Sequence, residues 1–594
     1  MDTQEKLAEL RRIMDRENIS AYVISGTDPH NSEYLPAPWQ QREWFSGFTG
    51  SFGTVVVTMD DAGLWTDTRY FIQAERELQG SGIRLHKLRV PDAVDYPQWL
   101  LENLPADSKV GIDGFCMSVN DTCVLKDTLA AKNITVKEQI DLLGEIWLDR
   151  PHLPLGPLAR LRDEYAGETV ADKLAKVRRF LDTNHGNYII FSALDEIAWL
   201  YNIRCDDIPY NPVAISYALV EREKAHLFIK KAKVGADTAA SLAADGIELH
   251  DYHHLALYLD SLSAENTFLV DTRTCNYAVY NRLANRFRLS EVVSPIPLLK
   301  AVKNDTELEG FRRACRKDAV ALAKFYYWLE QRIGKETVTE LDAAARLGQF
   351  RAEDPEYVSD SFETISAYGP NAALPHYSAT PEHQAELRPR GLYLVDSGAQ
   401  YLHGTTDITR TMPLGELTDL EREDYTLVLK GMIGLSRLYF PKGSKGCHID
   451  LAARLPLYMR RRAFGHGTGH GVGHFLNVHE GPQSIRPDLN AQDILPGMVT
   501  SNEPGIYREN LHGVRHENLL VCQPDEENEF GVFYRFETLT LCYFDTSALA
   551  VDLLDDEEIA WLNAYNERVY QETAPSLAPE IREWLRAKTA PVSR

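Results

Sequence analysis

The sequence predicts an α/β fold in which two similar units precede a longer C-terminal section. Three observations support this prediction. A helix pattern followed by a short apolar run occurs twice, a proline-rich segment separates the two copies, and histidines concentrate in the last part of the chain. We therefore expect domains over residues 1–147, 148–298 and 299–594.

The repeat is visible at the level of residues. Residues 6–15 have the spacing of an amphipathic helix and lead into an apolar run that begins at Ala21. Lys173 follows Lys6 by 167 residues, and the helix pattern that it begins leads into a second apolar run at residues 187–192. Helix, strand and spacing recur together, which favours a duplicated α/β unit over two unrelated amphipathic helices.

Three prolines between the copies, Pro151, Pro154 and Pro157, exclude a helix interior or a central strand, so residues 148–157 are a candidate linker. The C-terminal section is expected to open with a long helix. Thr306 and Glu309 have the spacing of a capping box at its start. The charged sequence from residue 555 onwards is expected to be helical.

Composition excludes several classes of protein. The 594 residues include 63 Lys and Arg against 87 Asp and Glu, a formal net charge of -24. Nucleic acid or an anionic membrane surface would find no counter-charge. No apolar stretch approaches the roughly 20 residues of a membrane helix, and the N-terminus has no apolar signal core. Eight scattered cysteines without a Cys-x-x-Cys pair are typical of a reduced, cytoplasmic protein.

Two aspartates follow strand-like sequence. Asp396 ends an apolar run, and Asp407 lies eleven residues later among β-branched residues. We expect neighbouring strands to hold the two carboxylates face to face, where they would repel unless a proton or a divalent cation lies between them. The alternative is a hydrogen-bonded turn aspartate at each position.

Two glutamates have similar settings. Glu503 ends another strand-like approach just before a Pro-Gly turn, and Glu517 lies in a strand predicted over residues 513–521. Period-two alternation puts Arg515 and Glu517 on one face of that strand. A solvated turn glutamate and an exposed charge pair are the alternatives.

The ten residues from Gly465 to His474 contain three histidines and five glycines. Glycine lets the backbone approach a ligand closely, and imidazole serves as a metal ligand or proton carrier. Ten of the 18 histidines lie between His376 and His516, so a functional site is expected in this section. The alternative is a solvated loop rich in His and Gly.

Together the candidates are four carboxylates and one imidazole: Asp396, Asp407, His470, Glu503 and Glu517. Hard oxygen donors with a single nitrogen suit Mn²⁺, with Co²⁺, Fe²⁺ or Zn²⁺ as alternatives. Four carboxylates carry more charge than one divalent ion neutralises, so two metal ions are expected. Such a pair can share a hydroxide nucleophile.

The order of these motifs resembles that of the pita-bread metallopeptidases, a family that includes methionine aminopeptidase, prolidase and aminopeptidase P. The long, three-domain form of aminopeptidase P is the most similar, and the resemblance covers nearly all of the chain. It implies two creatinase-like α/β domains before a C-terminal pita-bread metallopeptidase domain. The supporting stretches are residues 25–34, 45–51, 65–71, 193–200 and 466–473.

The resemblance also implies metal-binding roles. Asp396 would bind one metal ion, and His470 and Glu503 would bind the other. Asp407 and Glu517 would bridge the two ions. Glu503 would double as the general base toward the bridging hydroxide.

Five further residues match substrate-binding or supporting positions of the family. His376 and His466 would contact substrate, and His479 would lie at the peptide carbonyl as oxyanion stabiliser or proton shuttle. Tyr507 would lie near the active site, and Arg515 would orient the bridging carboxylates.

The implied activity is hydrolysis of the first peptide bond in peptides with proline at the second position, by a homodimer. The alternatives are a dipeptidase of prolidase type, a metal-free binding protein on the same fold, and a creatine-type amidinohydrolase. Two residues depart from the family pattern. His474 is expected to be a surface histidine, or else an extra polar lining or adventitious ligand, and Pro456 to kink or shorten the helix before the glycine run.

Overall fold

Two six-stranded sheets with the same strand order form the N-terminal part of the chain in the computed structural model, which describes residues 1–594. In spatial order the first contains Arg84–Lys87, Ala62–Thr66, Thr54–Thr58, Ala21–Ile24, Lys109–Ile112 and Thr135–Lys137. The second contains Ile247–His250, Ala225–Ile229, Ser216–Glu221, Tyr188–Phe191, Thr267–Val270 and Arg288–Glu291. Parallel and antiparallel pairs also follow the same pattern, which confirms the duplicated unit.

Each sheet is preceded by the helix that the repeat predicts, Thr3–Arg16 in the first copy and Val170–Thr183 in the second. Residues 148–157 form neither helix nor strand. The other helices of the two copies are Gln41–Ser46, Phe71–Glu77, Tyr96–Asn103, Val119–Leu129, Leu194–Leu200, Ala236–Ala244, Leu255–Ser261 and Tyr277–Ala284.

The chain divides into two compact units, and each is described by itself. The first contains residues 1–162 and 168–296, and the second contains residues 163–167 and 297–594. No helix in either unit is both long and apolar enough to cross a bilayer. We keep 1–147, 148–298 and 299–594 as proposed domain boundaries.

A long helix, Asp305–Arg332, dominates the second unit. Its N-cap is Asn304, whose side chain accepts from the Glu307 N–H (2.9 Å) while the Glu307 carboxylate accepts from the Asn304 N–H (3.0 Å). The capping box predicted at Thr306 and Glu309 is therefore wrong by two residues. Asn is as strong an N-cap as Thr, and Asn304 and Glu307 have the same spacing.

The remaining helices of the second unit surround antiparallel sheets. The helices are Asp163–Ala166, Glu340–Arg351, Asp419–Ser436, Gly446–Tyr458, Asp556–Thr573 and Pro579–Lys588, with Ile296–Ala301 at the start. The helices Asp556–Thr573 and Pro579–Lys588 confirm that the segment from residue 555 onwards is helical. Pro456 falls in the last turn of Gly446–Tyr458, which ends two residues after it.

Strand register positions the candidate site. The largest sheet contains, in spatial order, Phe440–Pro441, Gly531–Thr538, Asn518–Asn528, Val499–Asn502, Gly469–Gly471 and Glu480–Ile485. A second contains Ile365–Tyr368, Leu392–Ser397 and Ile408–Pro413. The other strands are Tyr357–Asp360, Ala399–Tyr401 and Gly404–Thr405 in a third sheet, and the hairpin of Gly505–Arg508 with His512–Arg515.

Arg410 links these strands to the C-terminal helices from a fully buried position. Its guanidinium donates to the carbonyls of Glu517 (2.6 Å) and Cys542 (2.6 Å). It also donates to the Tyr565 hydroxyl (3.0 Å), which belongs to the helix Asp556–Thr573. A buried guanidinium needs such partners, so the arginine holds the three segments in one arrangement.

Candidate metal centre

Two neighbouring strands bring the aspartates together. Leu392–Ser397 and Ile408–Pro413 pair antiparallel with Asp396 opposite Thr409, and Asp407 immediately precedes the second strand. Both carboxylates are buried. The strand predicted around Asp407 is interrupted there, but the expected proximity of the two strands is present.

The two glutamates meet by the same principle. Val499–Asn502 and Asn518–Asn528 pair antiparallel with Asn502 opposite Asn518, so Glu503 just after one strand lies beside Glu517 just before the other. The strand predicted over residues 513–521 is broken at residues 516–517.

His470 lies in the short strand Gly469–Gly471, between these carboxylates. Its Nε2 is 3.4 Å from Asp407 Oδ2 and 3.4 Å from Glu503 Oε1. Its Nδ1 is 3.0 Å from the Gly471 carbonyl. Because a carbonyl can only accept, Nδ1 carries the proton of that hydrogen bond and Nε2 faces the acidic groups.

The glycines of this run allow close backbone approach. A Cβ on Gly469 would lie 1.9 Å from the Ser501 carbonyl oxygen, and one on Gly471 would lie 2.4 Å from that of Glu480. Only glycine allows the strand that bears His470 to pack this closely on its neighbours. The ligand atoms of Asp407, His470 and Glu517 consequently lie within 4.8 Å of one another.

The electrostatics of the cluster favour a bound cation. Burial raises the pKa of Asp396, and burial with the charge of Asp407 raises the pKa of Glu517 well above its ordinary range. Burial, with Asp407 and Asp396 adding to it, raises the pKa of Glu503 to about 7. Burial would lower the pKa of His470, but its hydrogen bond to Asp407 and the charge of Glu503 raise it to about 9.

The carboxylate shifts arise because burial disfavours the charged form and because the like charges repel, whereas the pKa of His470 rises because the carboxylates favour its charged form. A divalent cation removes that conflict, and the donor set of oxygens with one imidazole nitrogen fits such an ion. Asp396 Oδ1 supports the same conclusion, since it is buried and has no hydrogen-bond partner.

Arg515 organises one side of the cluster. Its Nη2 donates to Asp396 Oδ2 (2.6 Å) and its Nε donates to Thr409 Oγ1 (3.0 Å). The Thr409 hydroxyl in turn donates to Glu517 Oε2 (2.8 Å). Sequence reasoning missed Thr409, because a threonine in a strand is also typical of ordinary β structure.

A second chain of hydrogen bonds leads from Arg515 to His466. Arg515 Nη1 donates to the Tyr507 hydroxyl (2.7 Å), which is 2.7 Å from His466 Nε2. His466 Nδ1 is 2.7 Å from the Gly467 carbonyl and therefore carries that proton, so Nε2 accepts from Tyr507. Three of the residues singled out from the sequence are thus connected.

His479 and His376, the other two histidines predicted to contact substrate, also lie near the cluster. The ring of His479 makes an edge contact with that of His470, with centroids 4.3 Å apart. His376 is half-buried, and the carbonyl of the preceding Pro375 accepts from Arg515 Nη2 (3.3 Å).

A buried ion pair that the sequence analysis missed lies beside His479. Lys300 Nζ is 2.6 Å from Glu480 Oε2, and both side chains are 2% exposed. The only signals in the sequence are an isolated lysine in an apolar helix and a glutamate after His479. The pair fixes the residue next to that histidine.

His474 is not at the surface, so that expectation is wrong. Its side chain is 3% exposed, its ring makes an edge contact with Phe311, and its Nδ1 is 4.0 Å from Glu307 Oε1. Spacing in a glycine run does not reveal which side chains point inward. The histidine packs on the long helix Asp305–Arg332.

Models of known protein families match most of the chain. Models of the creatinase/prolidase N-terminal domain match residues 6–146 and 149–307. The metallopeptidase family M24 matches residues 309–524, and the C-terminal region of that peptidase matches residues 532–592.

Similar proteins cover the full length. Aminopeptidase P2 of Arabidopsis thaliana is 39% identical over 99% of this chain and 89% of its own length. A probable Xaa-Pro aminopeptidase P of Tuber melanosporum is 38% identical over 100% of both. The crystal structure of X-prolyl aminopeptidase from Caenorhabditis elegans, described as a cytosolic enzyme with a di-nuclear active site, superposes with a TM-score of 0.95 at 34% identity over 100% of both chains.

Proposed function

This chain belongs to metallopeptidase family M24, among the Xaa-Pro aminopeptidases P, and we propose that it removes the first residue from peptides whose second residue is proline. One observation carries the proposal: strand register brings Asp396, Asp407, Glu503 and Glu517 together around His470. A binding protein on this fold would have no need of four buried carboxylates.

We propose that the cluster binds two divalent ions, Mn²⁺ in the native protein. Asp396 would hold one ion, His470 and Glu503 the other, and Asp407 and Glu517 would bridge them. When bound, such a pair activates water and polarises a peptide carbonyl. The preponderance of carboxylate oxygens supports Mn²⁺ over the softer metals.

The protein groups would then handle the proton and the substrate. Glu503 would take the proton of the attacking water, and the Ser501 hydroxyl, which donates to its Oε1 (3.1 Å), orients it. His479, next to His470, would donate to the carbonyl oxygen of the scissile bond.

Recognition of proline is assigned to the other histidines. Proline has a fixed φ and no N–H, so its ring can be held rigidly without an amide partner. We propose that His466, fixed by Tyr507 and Arg515, lines the pocket for this ring. His376, on the segment held by Arg515, would contact the substrate opposite it.

The test compares three peptides with the purified, Mn²⁺-loaded protein. Release of arginine from Arg-Pro-Pro, with little from Arg-Pro and none from Arg-Ala-Pro, is the expected result. Turnover of Arg-Pro alone would indicate a prolidase, and no turnover of any Xaa-Pro peptide would refute the proposal. Stripping the metal and restoring Mn²⁺, Co²⁺ or Zn²⁺ separately then identifies the most active ion.

We also propose a homodimer in the cytoplasm. All eight cysteines are free thiols and six of them are buried, which suits a reducing compartment. Light scattering coupled to gel filtration measures the molecular mass in solution. A mass of 67.2 kDa, that of the monomer, at the concentration used in the peptidase assay would contradict the dimer.

A further inference from the structure

Three possible metal ligands cluster at the edge of the second six-stranded sheet, in the first unit. The edge strand Ile247–His250 pairs in parallel with Ala225–Ile229, and His226 lies opposite Glu248. Because side chains two residues apart share a face, His250 projects on the same face as both.

The donor atoms have the spacing of a coordination site. His226 Nδ1 is 3.1 Å from His250 Nε2 and 3.6 Å from Glu248 Oε2. All three donors lie within 4.8 Å of one another. Tetrahedral zinc with bonds of about 2.0–2.1 Å separates neighbouring ligand atoms by roughly 3.3 Å, so these separations suit such an ion.

The second ring nitrogen of His226, Nε2, has hydrogen-bond partners of the kind that orient metal-binding histidines. Its Nε2 is 3.1 Å from Glu221 Oε1 and 3.1 Å from the Tyr258 hydroxyl. A carboxylate only accepts, so Nε2 carries the proton and the lone pair of Nδ1 faces His250 and Glu248.

A lysine orients the carboxylate of the third ligand, Glu248. Lys224 Nζ holds Glu248 Oε1 (2.7 Å), which leaves Oε2 directed at His226. Glu248 is partly exposed, so an ion can enter from solvent.

The first sheet provides an internal comparison. There Trp65 stacks on His86 across the equivalent strand pair, as Phe228 stacks on His250 in the second sheet. The positions equivalent to His226 and Glu248 are Gly63 and Arg84. The aromatic–histidine stack is therefore common to both copies, whereas the donor set occurs only in the second.

We propose that His226, Glu248 and His250 bind one Zn²⁺ ion, separate from the dinuclear centre. A fourth position is open to water. The ion would tie the edge strand Ile247–His250 to its neighbour. This zinc site is additional to the proposed peptidase function and does not depend on that function.

To test this proposal, the full-length protein is stripped with EDTA, re-equilibrated with Zn²⁺ and passed through gel filtration. The zinc that remains bound per chain is then measured. We expect the unaltered protein to retain one more zinc per chain than His250→Ala and than Glu248→Gln. Glu221→Gln should bind this zinc about 10–100-fold more weakly, since it removes only the partner of Nε2.

His86→Ala is the matched control, because it removes the equivalent histidine from the copy that lacks the other donors. It should retain as much zinc as the unaltered protein, and the peptidase assay with Mn²⁺ should be unchanged in all four variants. Equal zinc content in the unaltered protein, His250→Ala and Glu248→Gln would overturn the proposal and leave a simple hydrogen bond between the two imidazoles. Because zinc is counted directly, this result is independent of whether Arg-Pro-Pro is cleaved.

Discussion

Asn502 and Asn518 pair across two antiparallel strands, and this pairing sets Glu503 beside Glu517. Asp396 is positioned in the same manner by its pairing with Thr409. The centre is thus built by strand register, in which neighbouring residues of paired strands are brought within a few ångströms. Substitutions that keep the strands but change one donor therefore test the chemistry rather than the fold.

Asp407→Asn should lose metal binding and turnover together. The amide keeps the shape of the carboxylate but carries no charge, and Asp407 lies within 3.4 Å of His470 at the centre of the cluster. Metal content by mass spectrometry and cleavage of Arg-Pro-Pro measure the two effects. Asp552→Asn, at an exposed position, is the control. Retained activity in Asp407→Asn would refute the ligand assignment.

Thr409 should matter through its hydroxyl alone. Thr409→Val removes the donor to Glu517 Oε2 at nearly constant shape, and we expect metal affinity or activity to fall about 10–100-fold. Thr409→Ser keeps the hydroxyl and should retain most of both. Titration of Mn²⁺ into the stripped variants gives the affinities, and equal values for Val and Ser would show that the hydrogen bond is dispensable.

Removing one partner of the Lys300–Glu480 pair should destabilise the second unit. Lys300→Met leaves Glu480 buried without its partner, so we expect a loss of about 3–5 kcal/mol in unfolding free energy. The double variant Lys300→Met with Glu480→Gln should recover part of it, because the unpaired Glu480 charge is gone while the buried Lys303 keeps Glu307 as a neighbouring opposite charge. Unfolding in urea measures the difference. Additive losses in the double variant would argue against the coupling.

Mn²⁺ should stabilise the protein more as pH rises. In the metal-free protein Glu503 has its pKa raised from 4.5 to about 7, and His470 from 6.5 to about 9. Raised folded pKa values mean that the stability linked to these protons is present at low pH and is lost between about pH 4.5 and 9.

A bound cation replaces those protons, so the gain on adding Mn²⁺ should increase across the same interval. Thermal unfolding of stripped and Mn²⁺-loaded protein at pH 5, 7 and 9 measures it. The Asp407→Asn variant should show no such gain at any pH. A gain in the unaltered protein that is constant with pH would contradict the prediction.

Residue patterns were sufficient for the duplicated unit, because helix and strand periodicity is local. They also identified the acidic residues, since carboxylates that end apolar runs are unusual. The resemblance implied that Arg515 orients carboxylates, but its link to Glu517 through Thr409 could not be predicted, because Arg515 and Thr409 are 106 residues apart in the chain. His474 was misplaced for a related reason: its burial is set by the packing of a helix from residues 305–332.

The position of Arg410 gives the helix Asp556–Thr573, which carries none of the candidate site residues, a supporting role in the metal centre. Its guanidinium touches the carbonyl of Glu517, and Tyr565 in the penultimate helix meets the same guanidinium. Proteolytic cleavage just before Tyr565 would leave every candidate metal ligand in the polypeptide. It would, however, remove a hydrogen-bond partner of Arg410, which holds the backbone of Glu517. Nicked enzyme should accordingly lose its cations before it loses its secondary structure.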